Sequence, residues 1–181
     1  MKIIFAGTPS FSSFHLGLLI NSHYEVPAVL TQPDRKSGRG KKIAPSSVKL
    51  LAEKNEIPVL QPLNLGPKEE GLEDIKKIEP DLMLVVAYGT ILNKEVLNLP
   101  KYGCINVHAS ILPRWRGAAP IERSIINGDK KGGISFMKMN EGLDTGPVLK
   151  SFDCEISVDE TSETLEKKYL SLSQDNLIGF L

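Results

Sequence analysis

The chain has no surplus of either charge. Lysine plus arginine, 22, balance aspartate plus glutamate, 22, over 181 residues. A net charge of zero gives no global pull toward nucleic acid, so any binding to a polyanion has to use a local patch. Cysteine is scarce. Cys104 and Cys154 form no CxxC pair, and both read as reduced packing residues in a reducing compartment; no metal is expected. Apolar runs fall short of the ~20 residues that a membrane span needs. Met1-Lys-Ile-Ile-Phe-Ala-Gly7 reads as a strand entering a turn, without the layout of a secretory or organellar leader. The expected setting is a cytoplasm of bacterial type. Internal repeats, low-complexity segments and linkers are absent. Gly7-Thr-Pro9 carries one glycine where the dinucleotide fingerprint needs three, which argues against a nucleotide-binding regulatory domain.

What is present is an ordinary globular composition. Hydrophobic residues make up 41% and charged residues 24%, enough for one domain, residues 1–181, with a sizeable core. Apolar runs at Lys2–Ala6, Glu25–Thr31, Ile57–Leu60, Asp81–Ala87 and Gly103–His108 predict strands. Helical spacing predicts helices from Ser10, taken as an N-cap, to Asn21, at Ser46–Asn55, Pro67–Ile78 and Ala119–Ile126, and from Thr161 to the end. Asn93–Leu97 reads as a helical turn. Gln32–Ala44 is polar and glycine-rich and reads as a long loop. Ile134–Met139 and Val148–Asp153 read as a late antiparallel pair. Alternating strands and helices predict an α/β fold: a doubly wound, mostly parallel sheet with helices on both faces. Such sheets bind ligands beyond the carboxyl ends of their strands, where the strand order reverses.

The most informative stretch runs from Gly103 to Pro120. Asn106 and His108 are two apart in a strand, so their side chains share a face. Thirty-odd residues later comes Glu141-Gly-Leu-Asp144-Thr-Gly146, a glycine-punctuated loop carrying a carboxylate. An amide, an imidazole and an acid together suit acyl-type transfer: donors for a developing oxyanion, and a carboxylate to hold the ring. Two other histidines exist. His15, in the first helix, and His23, in a turn, read as surface residues. The other concentrated feature is cationic. Five of the eight residues Arg35–Lys42 are arginine or lysine. The segment lacks the interleaved aromatics of a simple RNA-binding module.

These segments resemble the folate-dependent formyltransferases. The resemblance spans nearly the whole chain. It rests on Phe5-Ala-Gly-Thr-Pro9, Thr31-Gln-Pro-Asp34 with Gly38-Arg-Gly-Lys-Lys42, Pro45-Ser-Ser-Val-Lys49 and Val85-Val-Ala-Tyr-Gly89. Above all it rests on Asn-x-His-x-Ser-x-Leu-Pro followed by Gly-Leu-Asp-x-Gly. Within the family, the basic segment is closest to the methionyl-tRNA formyltransferases. The resemblance implies a Rossmann-like formyltransferase fold with 10-formyltetrahydrofolate as co-substrate. It implies methionyl initiator tRNA as acceptor and a role in translation initiation, in a protein that is a monomer. A small amine such as a sugar nucleotide or glycinamide ribonucleotide is the alternative acceptor. Asn106 and His108 would hold the formyl oxygen, with Asp144 beside the imidazole. Val86, Ala87, Tyr88 and Gly89 would form the pterin slot, and Ser110, Ile111, Leu112 and Pro113 the rest of the folate site. Arg39, Lys41 and Lys42 would meet the tRNA acceptor stem, with Arg114 and Arg116 as additions. Ala109 stands where the tRNA enzymes often have glycine. The tRNA-acting members continue into a C-terminal β-barrel domain, to which nothing in residues 1–181 corresponds.

Overall fold

The structure, a computed structural model, describes residues 1–37, 42–65 and 70–181. They divide into two compact units, Met1–Cys104 and Ile105–Leu181.

The first unit is built on parallel strands. β1 (Ile3–Gly7) and β6 (Leu82–Val86) are buried at every position. That is the pattern of interior strands covered on both faces, and it explains their unbroken apolar composition. β2 (Val29–Leu30) and β5 (Val59–Leu60) are short. The order is β5-β2-β1-β6, with all three pairings parallel. The chain winds outward from β1 to β5, then returns to β1's other side with β6. The order therefore reverses at β1, where Gly7 lies level with Val86. That is the switch point at which such sheets take ligands.

Helix α1 (Ser10–Ile20) packs on β1 and β6, and α2 (Ser47–Lys54) lies against β2 and β5. Ser46 caps α2, its hydroxyl accepting from the Lys49 N–H at 3.0 Å. α3 (Glu70–Ile78) and the short α4 (Lys94–Leu97) complete the unit. The helix expected from Pro67 has its first residues outside the described range.

Four expectations change here, the last being His15, read as a surface residue. Ser10 is the first residue of α1 and Pro9 occupies the cap, without a side-chain bond. The strand expected over Glu25–Thr31 shrinks to two residues plus a bridge between Lys2 and Glu25. Gln32–Ala44 contains a small antiparallel pair, β3 (Arg35–Ser37) with β4 (Lys42–Ala44). His15 is fully buried. It stands four residues from both Phe11 and Leu19, on the stripe that faces the sheet, and its Nδ1 lies 2.7 Å from the Phe11 carbonyl.

The second unit is antiparallel. β7 (Cys104–His108), β8 (Lys131–Lys138) and β9 (Val148–Glu155) follow in that order. α5 (Pro120–Ile126) and the long α6 (Ser162–Phe180) pack together, and α6 covers β8 and β9. Thr161 and Thr164 close a capping box at the start of α6. Among the described residues no helix is long and apolar enough to cross a membrane.

Candidate active site

Alternation along β7 sends Asn106 and His108 to one face, as the two-residue spacing requires. Both are nearly enclosed, at 8% and 7% exposure. β7 pairs with β8 through Asn106–Met137 and His108–Ser135, which fixes their height along the sheet. Asp144 comes from the loop between β8 and β9. Asn140 braces that loop from inside, accepting from the Gly142 N–H at 3.1 Å and the Thr145 hydroxyl at 2.8 Å. Gly146 is required for a different reason. A Cβ there would stand 1.8 Å from the Lys138 carbonyl oxygen, so the loop re-enters the sheet only over a residue without one.

The loop delivers Asp144 onto the β7 pair. Asn106 donates from Nδ2 to Oδ1 of Asp144 at 3.2 Å. His108 Nδ1 lies 3.5 Å from Oδ2, and the Gly117 N–H donates to the same oxygen at 2.8 Å. Asp144 itself has a left-handed backbone, φ 49°, a region that aspartate tolerates better than most residues. One carboxylate thus fixes an amide, an imidazole and a turn. On the other side of the ring, His108 Nε2 sits 2.9 Å from the Trp115 carbonyl. A carbonyl only accepts, so Nε2 carries the proton there. A neutral ring satisfies one of the two facing oxygens; a doubly protonated ring satisfies both.

The turn after β7 is tightly tied. The Ser110 hydroxyl donates to the Arg114 carbonyl. Ser135 on β8 donates to the Ser110 carbonyl at 2.7 Å and accepts from the Leu112 N–H at 3.1 Å. Arg114 makes a two-pronged pair with Asp129, at 2.8 and 2.6 Å, and lies over the Trp115 ring at 4.2 Å. Trp115 Nε1 also donates to Asp129 at 2.7 Å. Arg114, ahead of Trp115 and Asn127, holds the Asp129 carboxyl well below the usual range. Arg114 is therefore engaged within its own unit.

In the first unit, Val86 and Tyr88 are buried, while Ala87 and Gly89 are exposed at the carboxyl end of β6. Ala87 has φ 45° and Gly89 φ 83°. Burial pushes the Tyr88 hydroxyl up to about 12. The Tyr88 carbonyl accepts from the Thr8 hydroxyl at 2.9 Å, so β1 and β6 are laced together just past the switch point. In the second unit Ser110 and Leu112 are buried, Ile111 is half-buried and Pro113 is exposed. Arg39 and Lys41 lie outside the described residues; Lys42 opens β4.

The structure thus gathers Asn106, His108 and Asp144 into one cluster, as their types and spacing predict. It adds the Trp115 carbonyl, the Gly117 N–H, Asn140 and Ser135, which sequence reading missed. Asn140, an Asx residue two before Gly142, carried a readable signal; the two backbone groups carried none.

A family model described as "Formyl transferase" matches residues 1–181. Among solved structures, the chain is similar to phosphoribosylglycinamide formyltransferase from Anaplasma phagocytophilum, at 17% identity and a TM-score of 0.81, over 99% of this chain and 84% of that one. It is similar to the enzyme of the same description from Bacillus halodurans, at 22% identity and a TM-score of 0.79, over 97% and 91%. A sugar 3N-formyl transferase, crystallised with dTDP and 5-N-formyl-THF, matches at 18% identity and a TM-score of 0.68, over 97% and 59%. At these identities the likeness carries the fold, and the α/β, Rossmann-like arrangement expected from the sequence is the one found.

Proposed function

Since the chain belongs to the formyl transferase family, a family of folate-dependent formyl transfer, we propose that its acceptor is the α-amine of methionyl initiator tRNA, with 10-formyltetrahydrofolate as donor. The amine attacks the formyl carbon, whose oxygen gathers negative charge; as the charge collapses, the bond from that carbon to N10 of the folate breaks, N10 takes a proton and tetrahydrofolate leaves. Asn106 holds that oxygen with the Nδ2 hydrogen that Asp144 does not use. His108 offers its Nε2–H, for which the formyl oxygen competes with the Trp115 carbonyl. Donors placed where charge develops are typically worth ~10²–10³ in rate each. Asp144 positions both donors at once and is the basic group nearest to them, suited to receive the amine's proton directly or through water. The folate body is assigned to the backbone and apolar surface of Val86–Gly89 and of Ser110–Pro113. The formylated product would serve translation initiation.

One observation carries the acceptor assignment: five cations in eight residues at Arg35–Lys42, in a chain of zero net charge. Such a run makes salt-sensitive phosphate contacts, and a small amine gives it little to do. A second reading, a small amine such as glycinamide ribonucleotide or a sugar nucleotide, is favoured by what the similar structures are described as formylating. The test is direct. The protein is given 10-formyltetrahydrofolate and a panel of amines that includes methionyl-tRNA. Formylated methionyl-tRNA is the expected product. Transfer to a small amine alone installs the second reading, and transfer to none of them overturns both.

A further inference from the structure

Trp115 has a left-handed backbone, φ 59°. Glycine enters that region freely, but a bulky residue there is an outlier. Such a residue stays only where its surroundings over-determine it. Its backbone is the part that meets the site. The Trp115 carbonyl lies 2.9 Å from His108 Nε2, tighter than the 3.5 Å between Nδ1 and Asp144. Two residues on, the Gly117 N–H donates to Asp144 at 2.8 Å. One strained turn therefore reaches two members of the trio Asn106, His108 and Asp144. What grips residue 115 is Asp129, just past α5. Its carboxylate accepts two donors on each oxygen. Arg114 Nη2 at 2.6 Å and Asn127 Nδ2 at 2.7 Å reach Oδ1, and Arg114 Nε at 2.8 Å and Trp115 Nε1 at 2.7 Å reach Oδ2. The Asp129 side chain is only 10% exposed, so its bonds are better shielded from water than those of an ordinary surface pair. Both partners are anchored in their turn. The Asp129 N–H donates to the Ser124 carbonyl at 3.0 Å, and the Arg114 N–H donates to the Ile111 carbonyl at 3.1 Å. The Arg114 carbonyl accepts from the Ser110 hydroxyl. With the peptide before Trp115 tied and its indole held, residue 115 has little freedom to leave the left-handed region.

We propose that Asp129 is a positioning residue for formyl transfer: by gripping Arg114 and the Trp115 indole, it keeps residue 115 in the backbone that aims its carbonyl at His108 Nε2. That carbonyl accepts a ring proton. It thereby sets both the orientation of the imidazole and the nitrogen that carries the hydrogen, before a formyl oxygen competes for it. The proposal rests on the role assigned above to His108 and is independent of which amine is the acceptor.

The experiment uses the full chain in four forms: wild type, Asp129→Asn, Trp115→Phe and the double variant. Each is ¹⁵N-labelled, and the imidazole nitrogens of His108 are followed by NMR at a pH where the ring carries one proton. The wild type should show a single tautomer, protonated at Nε2. In Asp129→Asn the two nitrogens should move toward the averaged positions of mixed tautomers. Trp115 is the only tryptophan in the chain, so its indole N–H gives one resonance, which should move upfield once the carboxylate is gone. In the same variant kcat, measured with 10-formyltetrahydrofolate and an amine that the wild type formylates, should fall ~10-fold or more, while the Michaelis constant for the donor stays within about twofold. Trp115→Phe, which removes the indole N–H, should show both defects in milder form, and it serves if Asp129→Asn does not fold. Because both residues act on one carbonyl, kcat of the double variant should lie within about threefold of Asp129→Asn. A merely structural role for Asp129 predicts a lower melting temperature with the His108 tautomer unmoved. An unmoved tautomer, an unchanged kcat, or losses that multiply in the double variant overturns the proposal. Should the wild type formylate no amine at all, the reading of the site fails on its own. The ring spectrum then decides alone: mixed tautomers in Asp129→Asn support the grip on His108, and a spectrum like that of the wild type ends it.

Discussion

Burial lowers the His15 imidazole from 6.5 to about 4, against a smaller opposing effect of the Phe11 carbonyl. The unfolded chain takes up this proton near pH 6.5 and the native one near pH 4. Stability from a neutral His15 is thus complete above about pH 6.5 and drains away as pH falls toward 4. At pH 4.5 the loss is on the order of 2–3 kcal/mol. His15→Leu should lose that much less than wild type between pH 7.5 and 4.5 in urea unfolding; equal losses would show that His15 does not titrate between the two states. At the trio, Asn106→Ala and His108→Ala should each lower kcat ~10²-fold or more while the fold stays intact. Asp144→Asn should lower kcat and leave folate binding measurable by calorimetry. Near-normal turnover in either alanine variant would remove that residue from the chemistry. This part of the site is legible in the sequence because strand alternation is a rule of two and glycines mark a loop. What stays hidden is backbone: no residue type announces that the Trp115 carbonyl or the Gly117 N–H will face the trio. His15 reads as a surface residue because its polarity outweighs its place on the Phe11–Leu19 stripe.

Elements differ in how openly the chain declares them. α2 and α6 are framed by side-chain caps at Ser46 and Thr161, so their starts are written locally. β1 and β6 declare themselves by unbroken apolar runs. β8 begins three residues earlier than its apolar pattern, at Lys131, because Gly132 and Gly133 mask the strand. A side chain at Gly132 would meet the Tyr169 hydroxyl at 2.0 Å, a tertiary demand that no local rule contains. The pair β3–β4 reads as loop because its strands are three residues long and rich in lysine, serine and alanine, which have low strand propensity. The β8–β9 loop offers the sharpest test at this scale. Gly146→Ala should cost roughly 2–3 kcal/mol in unfolding free energy, the range for strain at a closely packed backbone position. It should also lower kcat, because Asp144 moves with the loop. Gly179→Ala lies near the end of α6, where an added Cβ would meet nothing within 4 Å. It should be neutral or stabilise by up to about 1 kcal/mol. Similar midpoints for the two variants would argue that the loop bends freely around residue 146.

Across the molecule the two thiols report on opening. Burial pushes the Cys104 thiol up to about 12, and it raises the half-buried Cys154 as well. Cys154 should react first with iodoacetamide under native conditions. Cys104 should react only as its surroundings open, at a rate that climbs with denaturant. Equal native rates, followed by mass spectrometry of the two peptides, would contradict the burial of Cys104. The division at Cys104–Ile105 has a consequence for descent. Every side chain of the trio lies between residues 106 and 144, in one unit, and the cationic run lies within residues 35–42, in the other. A lineage could exchange, lengthen or discharge that run by recombination of a short gene segment and inherit the formyl chemistry untouched. On the proposed function, acceptor range and reaction are then separately heritable traits.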